Sequence, residues 1–365
     1  MVAVSFNNVW KDYGDGAIAV KELNMDIKDG EFVSLLGPSG CGKSTSLRML
    51  AGLEHISSGE IVFGDKAVNK LPPKDRDIAM VFENYALYPH KTIFDNIANP
   101  LRQAKVPQDE IARRVNDAAK LLEIEHLLER RPQELSGGQK QRTAIGRAIV
   151  RQPQVFLFDE PIAHLDAKLR ARMRGELKHL QHKLGVTTIY VTHDQLEALT
   201  MSDRIAVMND GVLQQFATPQ EVYENPANSW VATFVGEPMM SLMEMQLVGV
   251  NGETALIYGE NTIALDPASA ARLNQFGKKE LLVGVRPDKA SVSLEKSSSS
   301  IQGEVYSRQL LGADVLVEVE IGGSRVRAKA DTSFSGNDGE PCHLSLNSED
   351  LYFFDAGDGV AIPRQ

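Results

Sequence analysis

Cysteine is scarce in this chain of 365 residues: Cys41 and Cys342 are the only two. Two cysteines cannot form a disulfide framework and are typical of a protein from a reducing cytosol. The sequence also lacks any uninterrupted apolar run of about 18 residues, the length needed to cross a membrane, and its first residues lack the basic and apolar regions of a signal peptide. Any role at a membrane would therefore have to be exercised through a partner.

Basic residues are in the minority, with 39 Lys and Arg against 49 Asp and Glu, and the formal net charge is −10. Binding to nucleic-acid phosphates needs a basic face, so this balance argues against a nucleic-acid partner. Plain solubility is the simpler explanation of the charge. The composition, 42% hydrophobic and 24% charged, is that of a globular protein, and the length suits two domains.

The pattern of the chain changes near residue 235. Up to about Phe234, short β-branched runs alternate with helical stretches, which predicts a largely parallel sheet covered by helices. A helical insertion is expected at about 84–150. The clearest strands are predicted at 31–36, 78–82, 155–158 and 188–191, and the clearest amphipathic helices at 111–122 and 166–185.

A linker is expected at 225–238, and beyond it the sequence turns to short strands and glycine turns, as at 313–323. This pattern predicts a small antiparallel, barrel-like β domain over 236–365. The serine-rich segment 296–300 is interpreted as a loop inside that domain.

The segment GPSGCGKS at 37–44 follows a predicted strand, and a helical stretch begins after it at Thr45. It fits the phosphate-binding pattern G-x-x-x-x-G-K-[ST] in the context that the pattern requires, which a chance glycine turn would not share. Glycines let backbone N–H groups turn toward phosphate oxygens. Lys43 is expected to reach the β- and γ-phosphates, and the Ser44 hydroxyl to bind Mg²⁺. Cys41 is expected to be a small loop residue. The predicted ATP-binding residues of this loop are Gly37, Pro38, Ser39, Gly40, Cys41, Gly42, Lys43, Ser44 and Thr45.

The strand predicted at 155–158 ends on two acids, Asp159 and Glu160. An acid at the carboxyl end of a neighbouring parallel strand can hold Mg²⁺ through water, and the next acid can act on the attacking water as general base. Solvated acids that cap the turn before Pro161 would explain this motif if it stood alone. Beside a phosphate loop, the pattern favours Mg²⁺ binding by Asp159 and general-base catalysis by Glu160.

The segment LSGGQ at 135–139 opens another predicted helix. Ser136, Gly137 and Gly138 offer backbone donors at the helix N-terminus, which suits phosphate. Taken alone, such a start is more often a simple helix cap. Together with the loop at 37–44, the chain would then carry two segments suited to bind a γ-phosphate.

These motifs, in this order, resemble those of the ATP-binding subunits of ABC transporters, and most of all those of carbohydrate importers of the maltose type. The resemblance extends over essentially the whole chain and includes the loop at 37–44, LSGGQ, FLFDEP at 156–161, LD at 165–166 and VTHDQ at 191–195. In that family the signature LSGGQ of one subunit closes over the nucleotide of the other. The resemblance thus implies a dimer with two ATP molecules between the chains.

The same resemblance implies roles for single residues. Tyr13 falls where the family stacks an aromatic ring on adenine, although an ordinary strand aromatic is the plain alternative. His193 falls where the family contacts the γ-phosphate and helps hold the attacking water, the alternative being a buried structural histidine; together with Glu160 and Lys43 it forms the expected catalytic set. Asp166 corresponds to the acid that communicates between the two sites. The residues expected to contact the partner's ATP are Ser136, Gly137, Gly138 and Gln139.

The loop after the strand at 78–82 resembles the loop through which the family contacts its membrane subunits. Glu83, Tyr85 and Tyr88 are its predicted coupling residues. Glu83 stands where the family has a glutamine that senses Mg²⁺ and the γ-phosphate. An acid keeps an oxygen ligand for Mg²⁺ but loses the amide donor and adds negative charge. Ala163 likewise stands where a serine is usual.

The resemblance implies an α/β fold class, a P-loop ABC ATPase domain over 1–235 with a mostly parallel sheet and a helical subdomain, followed by a small all-β OB-like domain for dimerisation or regulation. The implied function is ATP hydrolysis that drives import of sugars, polyols or glycerol derivatives, with ATP and Mg²⁺ as cofactors. The implied partners are transmembrane permease subunits, a second ATPase chain, identical or homologous, and indirectly a periplasmic or extracellular solute-binding protein. The implied place is the cytoplasmic face of the inner or plasma membrane.

Other functions stay open on the sequence alone. The departures at Glu83 and Ala163 also fit a catalytically tuned or weak subunit that is paired with a different ATPase chain. A soluble ABC ATPase of DNA repair or ribosome regulation usually needs long helical arms, zinc modules or tandem ATPase domains, whereas this chain shows one P-loop. An OB fold can bind nucleic acid, but the sequence shows no obvious basic groove with interleaved aromatics.

Overall fold

The strands and helices predicted for the first part of the chain are present in the computed structural model, with small shifts at their ends. The structure describes residues 2–250, 253–259, 261–297, 300–312 and 314–364. The chain folds into two units, Met1–Pro219 and Gln220–Gln365. The strands of the first unit are β1 (Val4–Asp12), β2 (Ile18–Ile27), β3 (Phe32–Leu36), β4 (Ser58–Phe63), β5 (Lys66–Ala67), β6 (Ile78–Val81), β7 (Val155–Asp159), β8 (Thr187–Thr192), β9 (Arg204–Asn209) and β10 (Val212–Ala217). Its helices are α1 (Lys43–Ala51), α2 (Ile93–Gln103), α3 (Gln108–Leu121), α4 (Gly137–Ile149), α5 (Ala167–Leu184) and α6 (Gln195–Met201).

The central sheet of this unit has the strand order β10-β9-β3-β8-β7-β6. The pairs from β9 to β6 are parallel, and only β10 runs antiparallel to its neighbour. All residues of β3 and β8 are buried, as expected for parallel strands covered by helices on both faces. The carboxyl ends of β3, β8, β7 and β6 therefore lie side by side along one edge.

A second sheet, of order β2-β1-β4-β5, is antiparallel throughout. The sequence pattern predicts one largely parallel sheet and gives no sign of this separate antiparallel sheet. Its strands alternate buried and exposed residues, as in β1, where Val4, Phe6 and Val9 are buried. That alternation is typical of an antiparallel sheet that packs on one face only.

The helical subdomain contains α2, α3 and α4, and α2 was not predicted as a separate helix. Pro100 lies inside it, in its last turn, and obscures the pattern in the sequence. The apolar residues that reveal the helix, Ile93, Ile97 and Leu101, recur every fourth position and are all buried. Thr92 caps the start of α2, where its hydroxyl accepts a hydrogen bond from the Asp95 N–H.

The strands of the second unit are β11 (Ser241–Val250), β12 (Glu253–Tyr258), β13 (Asn261–Ala264), β14 (Glu280–Val285), β15 (Ala290–Ser293), β16 (Ser300–Leu311), β17 (Asp314–Ile321), β18 (Ser324–Ala330), β19 (Pro341–Leu346) and β20 (Tyr352–Asp355). Within the described residues they form two five-stranded antiparallel sheets, of order β13-β12-β11-β14-β20 and β15-β19-β16-β17-β18.

The remaining helices are α7 (Pro219–Glu224), α8 (Ser229–Phe234) and α9 (Pro267–Phe276). Helix α9 interrupts the strands and was not expected from the sequence. Ser298, Ser299 and Ala313, which belong to segments interpreted from the sequence, lie outside the described residues.

The two units divide after Pro219, whereas the domain boundary predicted from the sequence is at residue 235. Arg286, which is only 1% exposed, ties the residues after Pro219 to the second unit. Its guanidinium donates hydrogen bonds to the carbonyl oxygens of Tyr223 (2.7 Å), Ala232 (3.2 Å) and Val235 (2.5 Å). A buried arginine needs such partners, but its sequence neighbourhood carries no sign of where they are. The stretch interpreted as a linker accordingly contains helix α8.

None of the helices among the described residues is both long enough and apolar enough to span a membrane.

Candidate nucleotide site

The predicted nucleotide site lies along the edge where β3, β8, β7 and β6 end. The phosphate loop 37–42 follows β3, and Lys43 and Ser44 open α1. Asp159 is the last residue of β7 and Glu160 follows it, while His193 follows β8. Glu83 lies two residues beyond β6. Parallel strands thus bring to one edge residues that are far apart in the sequence.

Two glycines of the loop are required by its backbone path. Gly42 has a φ of 101°, and an added Cβ would lie 2.4 Å from the Ala19 carbonyl oxygen. A Cβ on Gly37 would lie 2.2 Å from the carbonyl oxygen of Met208 and 2.6 Å from the Cys41 sulfur. The close approach of these backbones leaves no room for a side chain. The loop is therefore held in place by strands on both sides of it.

Lys43 is almost fully buried, and its ammonium group is turned back into the loop. Nζ donates to the carbonyl oxygens of Gly37 at 2.7 Å and Pro38 at 2.9 Å, and lies 3.9 Å from the Cys41 sulfur. A buried ammonium group held only by neutral oxygens is well suited to bind an anion. Burial raises the pKa of the Cys41 thiol, although the nearby Lys43 opposes this effect. Cys41 is thus a packed loop residue, in agreement with its interpretation from the sequence.

Ser44 and Asp159 are brought together as the sequence predicts, with the Ser44 hydroxyl donating to Asp159 Oδ1 at 3.1 Å. Burial raises the pKa of Asp159, the Ser44 hydrogen bond and Arg48 lower it, and the carboxylates of Glu160 and Glu83 raise it again. A divalent cation would stabilise the ionised carboxylate. These oxygen atoms fit Mg²⁺, which is commonly bound by one or two protein oxygens plus phosphate and water.

The protein supplies only part of a complete ligand set for a metal ion. Within the described residues, no group of three or more His, Cys, Asp or Glu side chains could hold a metal by itself. Phosphate oxygens and water would have to complete the coordination of Mg²⁺ at Ser44 and Asp159. Metal binding and nucleotide binding are therefore expected to depend on each other.

Glu160 and His193 form a close pair, with 2.9 Å between Glu160 Oε2 and His193 Nδ1. A carboxylate accepts hydrogen bonds but cannot donate them, so Nδ1 carries the proton. Glu160 has a φ of 46°, a left-handed conformation that is uncommon for a residue with a side chain, and its N–H donates to the Val191 carbonyl oxygen at 3.1 Å. Such strain is typical of functional positions. His193 is exposed, so the alternative of a buried structural histidine is wrong.

Glu197, which was not predicted from the sequence, supports the strand that precedes His193. Its carboxylate is buried and accepts hydrogen bonds from the hydroxyls of Tyr190 (2.8 Å) and Thr192 (2.7 Å). Burial raises the pKa of Glu197. The signal that could have found it is the acid at the third position of a helix capped by Asp194, whose carboxylate accepts from the Glu197 N–H.

Tyr13 lies in the first unit with an exposed ring, as a surface that stacks on adenine requires. Its hydroxyl donates to Glu54 at 3.2 Å, and the ammonium of Lys11 lies 4.4 Å from the ring centroid. Lys11 in turn forms an ion pair with Glu54 at 2.8 Å. The stacking role stays a prediction, with Lys11 and Glu54 holding the ring in place.

The signature residues open α4 as a capped helix. Ser136 is the N-cap: its hydroxyl accepts from the Gln139 N–H, and the Gln139 side-chain oxygen accepts from the Ser136 N–H at 2.9 Å. Within the described residues, no hydrogen bond or ion pair joins this signature to the loop at 37–45. Gly137 and Gly138 lie instead against Leu165 and Leu169. Among the described residues of one chain, the two predicted phosphate-binding segments therefore do not contact each other through hydrogen bonds or ion pairs.

Asp166 is the N-cap of α5, where its carboxylate accepts from the Leu169 N–H at 3.0 Å. Its side chain is exposed, as a contact with a second ATPase chain requires. Communication between two sites stays a prediction for this residue. The cap explains its place in the fold without that role.

The loop after Glu83 is anchored to α4 by Arg147, which was not predicted from the sequence either. Its guanidinium donates to the carbonyl oxygens of Ala86 (2.6 Å) and Tyr85 (2.9 Å). Both residues have positive φ, 62° for Tyr85 and 46° for Ala86, so the two hydrogen bonds hold a strained turn. The ring of Tyr88 is partly exposed and lies against Lys91 and Arg147. The helix that begins with the signature thus fixes the predicted coupling loop.

Replacing Arg147 by Met should loosen this loop, since it removes two charge-assisted hydrogen bonds worth about 1 kcal/mol or more together. Amide hydrogen exchange at 84–88, followed by mass spectrometry, is expected to become about fivefold faster. The matched control is Arg151→Met, a change of the same chemistry at an exposed position beyond α4. Equal exchange in both variants would show that Arg147 does not hold the loop.

Comparison with known proteins identifies the family of the chain. Residues 20–163 match the ABC transporter family and residues 283–354 match the TOBE domain. The trehalose/maltose import ATP-binding protein MalK of Thermococcus litoralis is 48% identical, over 99% of this chain and 100% of its own length. The chain belongs to the family of ABC import ATP-binding proteins. The resemblance, the fold class and the coupled ATPase activity expected from the sequence are thereby confirmed.

A second relative and a solved structure agree with this family. The sn-glycerol-3-phosphate import ATP-binding protein UgpC of Psychromonas ingrahamii is 44% identical over 98% of this chain and 94% of its own length. Among solved structures, a dimeric post-hydrolysis state of the ATP-binding cassette MJ0796 bound to ADP and Pi has 34% identity and a TM-score of 0.53, covering 59% of this chain and 98% of that one. As a member of this family of ATPases, the chain binds ATP.

Proposed function

We propose that two ATPase chains, this one and an identical or homologous partner, bind two ATP molecules between them and drive the import of a sugar, polyol or glycerol derivative. The observation that carries the proposal is the edge of the central sheet, where Lys43, Ser44, Asp159, Glu160 and His193 lie together. The solute class follows the names of the relatives, which import trehalose and maltose or sn-glycerol 3-phosphate.

The dimer follows from the position of the signature. Ser136, Gly137, Gly138 and Gln139 stay away from the chain's own phosphate loop, while the Ser136 side chain is exposed at the start of α4. A helix N-terminus with free N–H groups attracts phosphate. In this proposal the signature therefore binds the nucleotide held by the other ATPase chain, and the exposed Asp166 lies at the contact between the two sites.

Each site residue then has a defined task. Loop N–H groups and the Lys43 ammonium bind the phosphates, and Tyr13 stacks on adenine. Ser44, Asp159 and Glu83 would hold Mg²⁺, which supplies charge neutralisation on the phosphate oxygens. Glu160 accepts a proton from the attacking water, while the Nδ1–H of His193 keeps its carboxylate oriented. To donate to the γ-phosphate as well, His193 would carry a second proton, on Nε2.

The proposed partners outside the ATPase pair are transmembrane permease subunits, contacted through Tyr85 and Tyr88, and indirectly a periplasmic or extracellular solute-binding protein. The place of action is then the cytoplasmic face of the inner or plasma membrane. No nucleic-acid partner is proposed, and the relatives, which are import proteins, give no support to a role in DNA repair or ribosome regulation. Glu83 and Ala163 instead favour, as a second candidate, a tuned chain that pairs with a different ATPase subunit.

The test is transport by the complex purified from its own host and reconstituted in vesicles with its permease and binding protein. We expect ATP-dependent uptake of labelled trehalose, maltose or sn-glycerol 3-phosphate, and none when ATP is replaced by ADP. Active ATPase without uptake of any sugar, polyol or glycerol phosphate would contradict the solute class. The mass of the intact complex separates one ATPase species from two, because a mixed pair contains a second chain of different mass.

A further inference from the structure

The ring of Tyr13, which the proposed function stacks on adenine, has one face that is already covered. The ammonium group of Lys11 lies over that face, 4.4 Å from the ring centroid, and Lys11 is almost fully buried. The negative potential of an aromatic face attracts a cation placed there. Tyr13 as a whole is exposed. One face of the ring is therefore left for a base.

Lys11 and Tyr13 share one partner, the carboxylate of Glu54. Lys11 Nζ donates to Glu54 Oε1 at 2.8 Å and to the His55 carbonyl oxygen at 2.9 Å. The Tyr13 hydroxyl donates to the other carboxylate oxygen, Oε2, at 3.2 Å. The Lys11 hydrogen bond lowers the pKa of Glu54 against the effect of burial, and the Tyr13 hydroxyl lowers it further. The ring is thus fixed at its edge as well as over one face.

Glu54 is placed by the helix that begins at the phosphate loop. Helix α1 starts at Lys43 and is closed by Gly52, whose φ of 73° ends it in a left-handed cap. The N–H of Glu54 then donates back to the Arg48 carbonyl oxygen at 3.2 Å. A short helix with a fixed rise per residue holds its two ends at a constant distance. The phosphate-binding residues and the acid that fixes the Tyr13 ring therefore lie at opposite ends of one rigid element.

We propose that Lys11 and Glu54 are positioning residues that hold the base-stacking ring in register with the phosphate-binding helix, and so raise the affinity for the base part of the nucleotide. This inference rests on the proposed stacking of adenine on Tyr13. Lys11 belongs to β1, which leads to Tyr13, and Glu54 follows α1, so their ion pair joins the two segments. A ring that is fixed before the nucleotide arrives loses less conformational freedom on binding than a free ring.

A purely stabilising ion pair is the alternative role, and it has different consequences. The side chains of Lys11 and Glu54 are 10% and 28% exposed, so loss of one partner leaves a largely buried charge and can lower the melting temperature. A stabilising pair would leave the affinity of the folded protein for ATP unchanged. A positioning pair changes the affinity for ATP but not for inorganic tripolyphosphate, which has no base to stack. The comparison of these two ligands therefore separates the roles.

The experiment is calorimetric titration of the full chain, in the presence of Mg²⁺, with ATP and with inorganic tripolyphosphate. Lys11→Met removes the ammonium group and keeps most of the side chain. Lys11→Met/Glu54→Gln removes both charges, so that no unpaired charge stays buried if the single variant folds poorly. Tyr13→Ala and Tyr13→Ala/Lys11→Met complete a double-mutant cycle. The matched control is Lys66→Met, the same replacement at an exposed position on β5.

We expect Lys11→Met and Lys11→Met/Glu54→Gln to lower ATP affinity about fivefold, the cost of ordering one free side chain on binding. Their affinity for tripolyphosphate, and both affinities of Lys66→Met, should stay within about twofold of the unchanged protein. Tyr13→Ala should lower ATP affinity about tenfold or more, the size of one lost stacking contact. In that background Lys11→Met should have no further effect, because Lys11 acts through the ring.

Three results would overturn the inference: unchanged ATP affinity in both variants that lack Lys11, an equal loss for tripolyphosphate, or the same loss of ATP affinity in the Tyr13→Ala background. The second result would show damage to the phosphate loop, and the third would make Lys11 independent of the ring. Unchanged ATP affinity in Tyr13→Ala would instead contradict the stacking that the proposed function assigns to Tyr13. The failure of that role and the failure of the inference are thus told apart.

Discussion

Replacing Glu160 by Gln should lower the rate of ATP hydrolysis about a hundredfold or more while ATP still binds, because general-base catalysis contributes about that much. The amide keeps the size of the carboxylate and an oxygen that can accept a hydrogen bond from His193 Nδ1. In the unchanged protein, this nitrogen lies 2.9 Å from Glu160 Oε2. It loses the basic oxygen that takes the proton from water. The measurements are steady-state ATPase of the assembled importer and equilibrium binding of labelled ATP.

The matched control for this change is Glu60→Gln, which makes the same replacement at an exposed position on β4. Its turnover should equal that of the unchanged protein. Since ATP stays bound and uncleaved in Glu160→Gln, the variant should also favour the closed ATPase dimer, seen as a larger mass in the presence of ATP. Undiminished turnover in Glu160→Gln would remove Glu160 from the role of base and leave its pair with His193 as a purely structural contact.

The second large effect is expected from Gly42→Ala in the phosphate loop. A φ of 101° costs an alanine about 1–2 kcal/mol, and its Cβ would in addition lie 2.4 Å from the Ala19 carbonyl oxygen. The loop must shift to relieve this collision, and its N–H groups then no longer converge on the phosphates. We expect ATP affinity to fall about a hundredfold, measured by equilibrium binding.

Gly40→Ala separates the two causes of this loss. Gly40 also has positive φ, 82°, but an added Cβ there would meet no atom within 4 Å. It therefore carries the conformational cost without the collision, and we expect a loss of affinity of about tenfold, in line with that cost. Equal losses in the two variants would show that the collision with β2 contributes nothing and that φ alone sets the requirement for glycine.

The places of the candidate nucleotide residues in the fold could be predicted from the sequence because each one lies next to its strand. The loop at 37–44, the acids after β7 and His193 after β8 all follow buried apolar runs, and parallel strands end at a common edge. The antiparallel sheet of β1, β2, β4 and β5 could not be predicted in the same way. Its strands are joined by connections of different length, and no local pattern in the sequence indicates that they form a sheet of their own.

Helix α2 and the end of the first unit could not be predicted from the sequence for a different reason. Pro100 in the last turn of α2 is tolerated because the helix ends soon after it. In the sequence, however, a proline predicts the end of a helix. The boundary after Pro219 depends on Arg286, whose hydrogen-bond partners lie more than fifty residues earlier. Long-range partners of a single polar side chain leave no periodic signal.

By itself, the sequence determined which residues are the candidates to bind phosphate and Mg²⁺, since glycine, lysine, serine and paired acids are recognised by their chemistry and by their neighbours in the chain. Tertiary structure alone decided how those residues are supported. Arg147 donates hydrogen bonds to the carbonyl oxygens of Tyr85 and Ala86, which lie 62 and 61 residues earlier in the chain. The physical reason is that catalytic chemistry depends on residue type, whereas positioning depends on hydrogen bonds between segments that no local pattern connects.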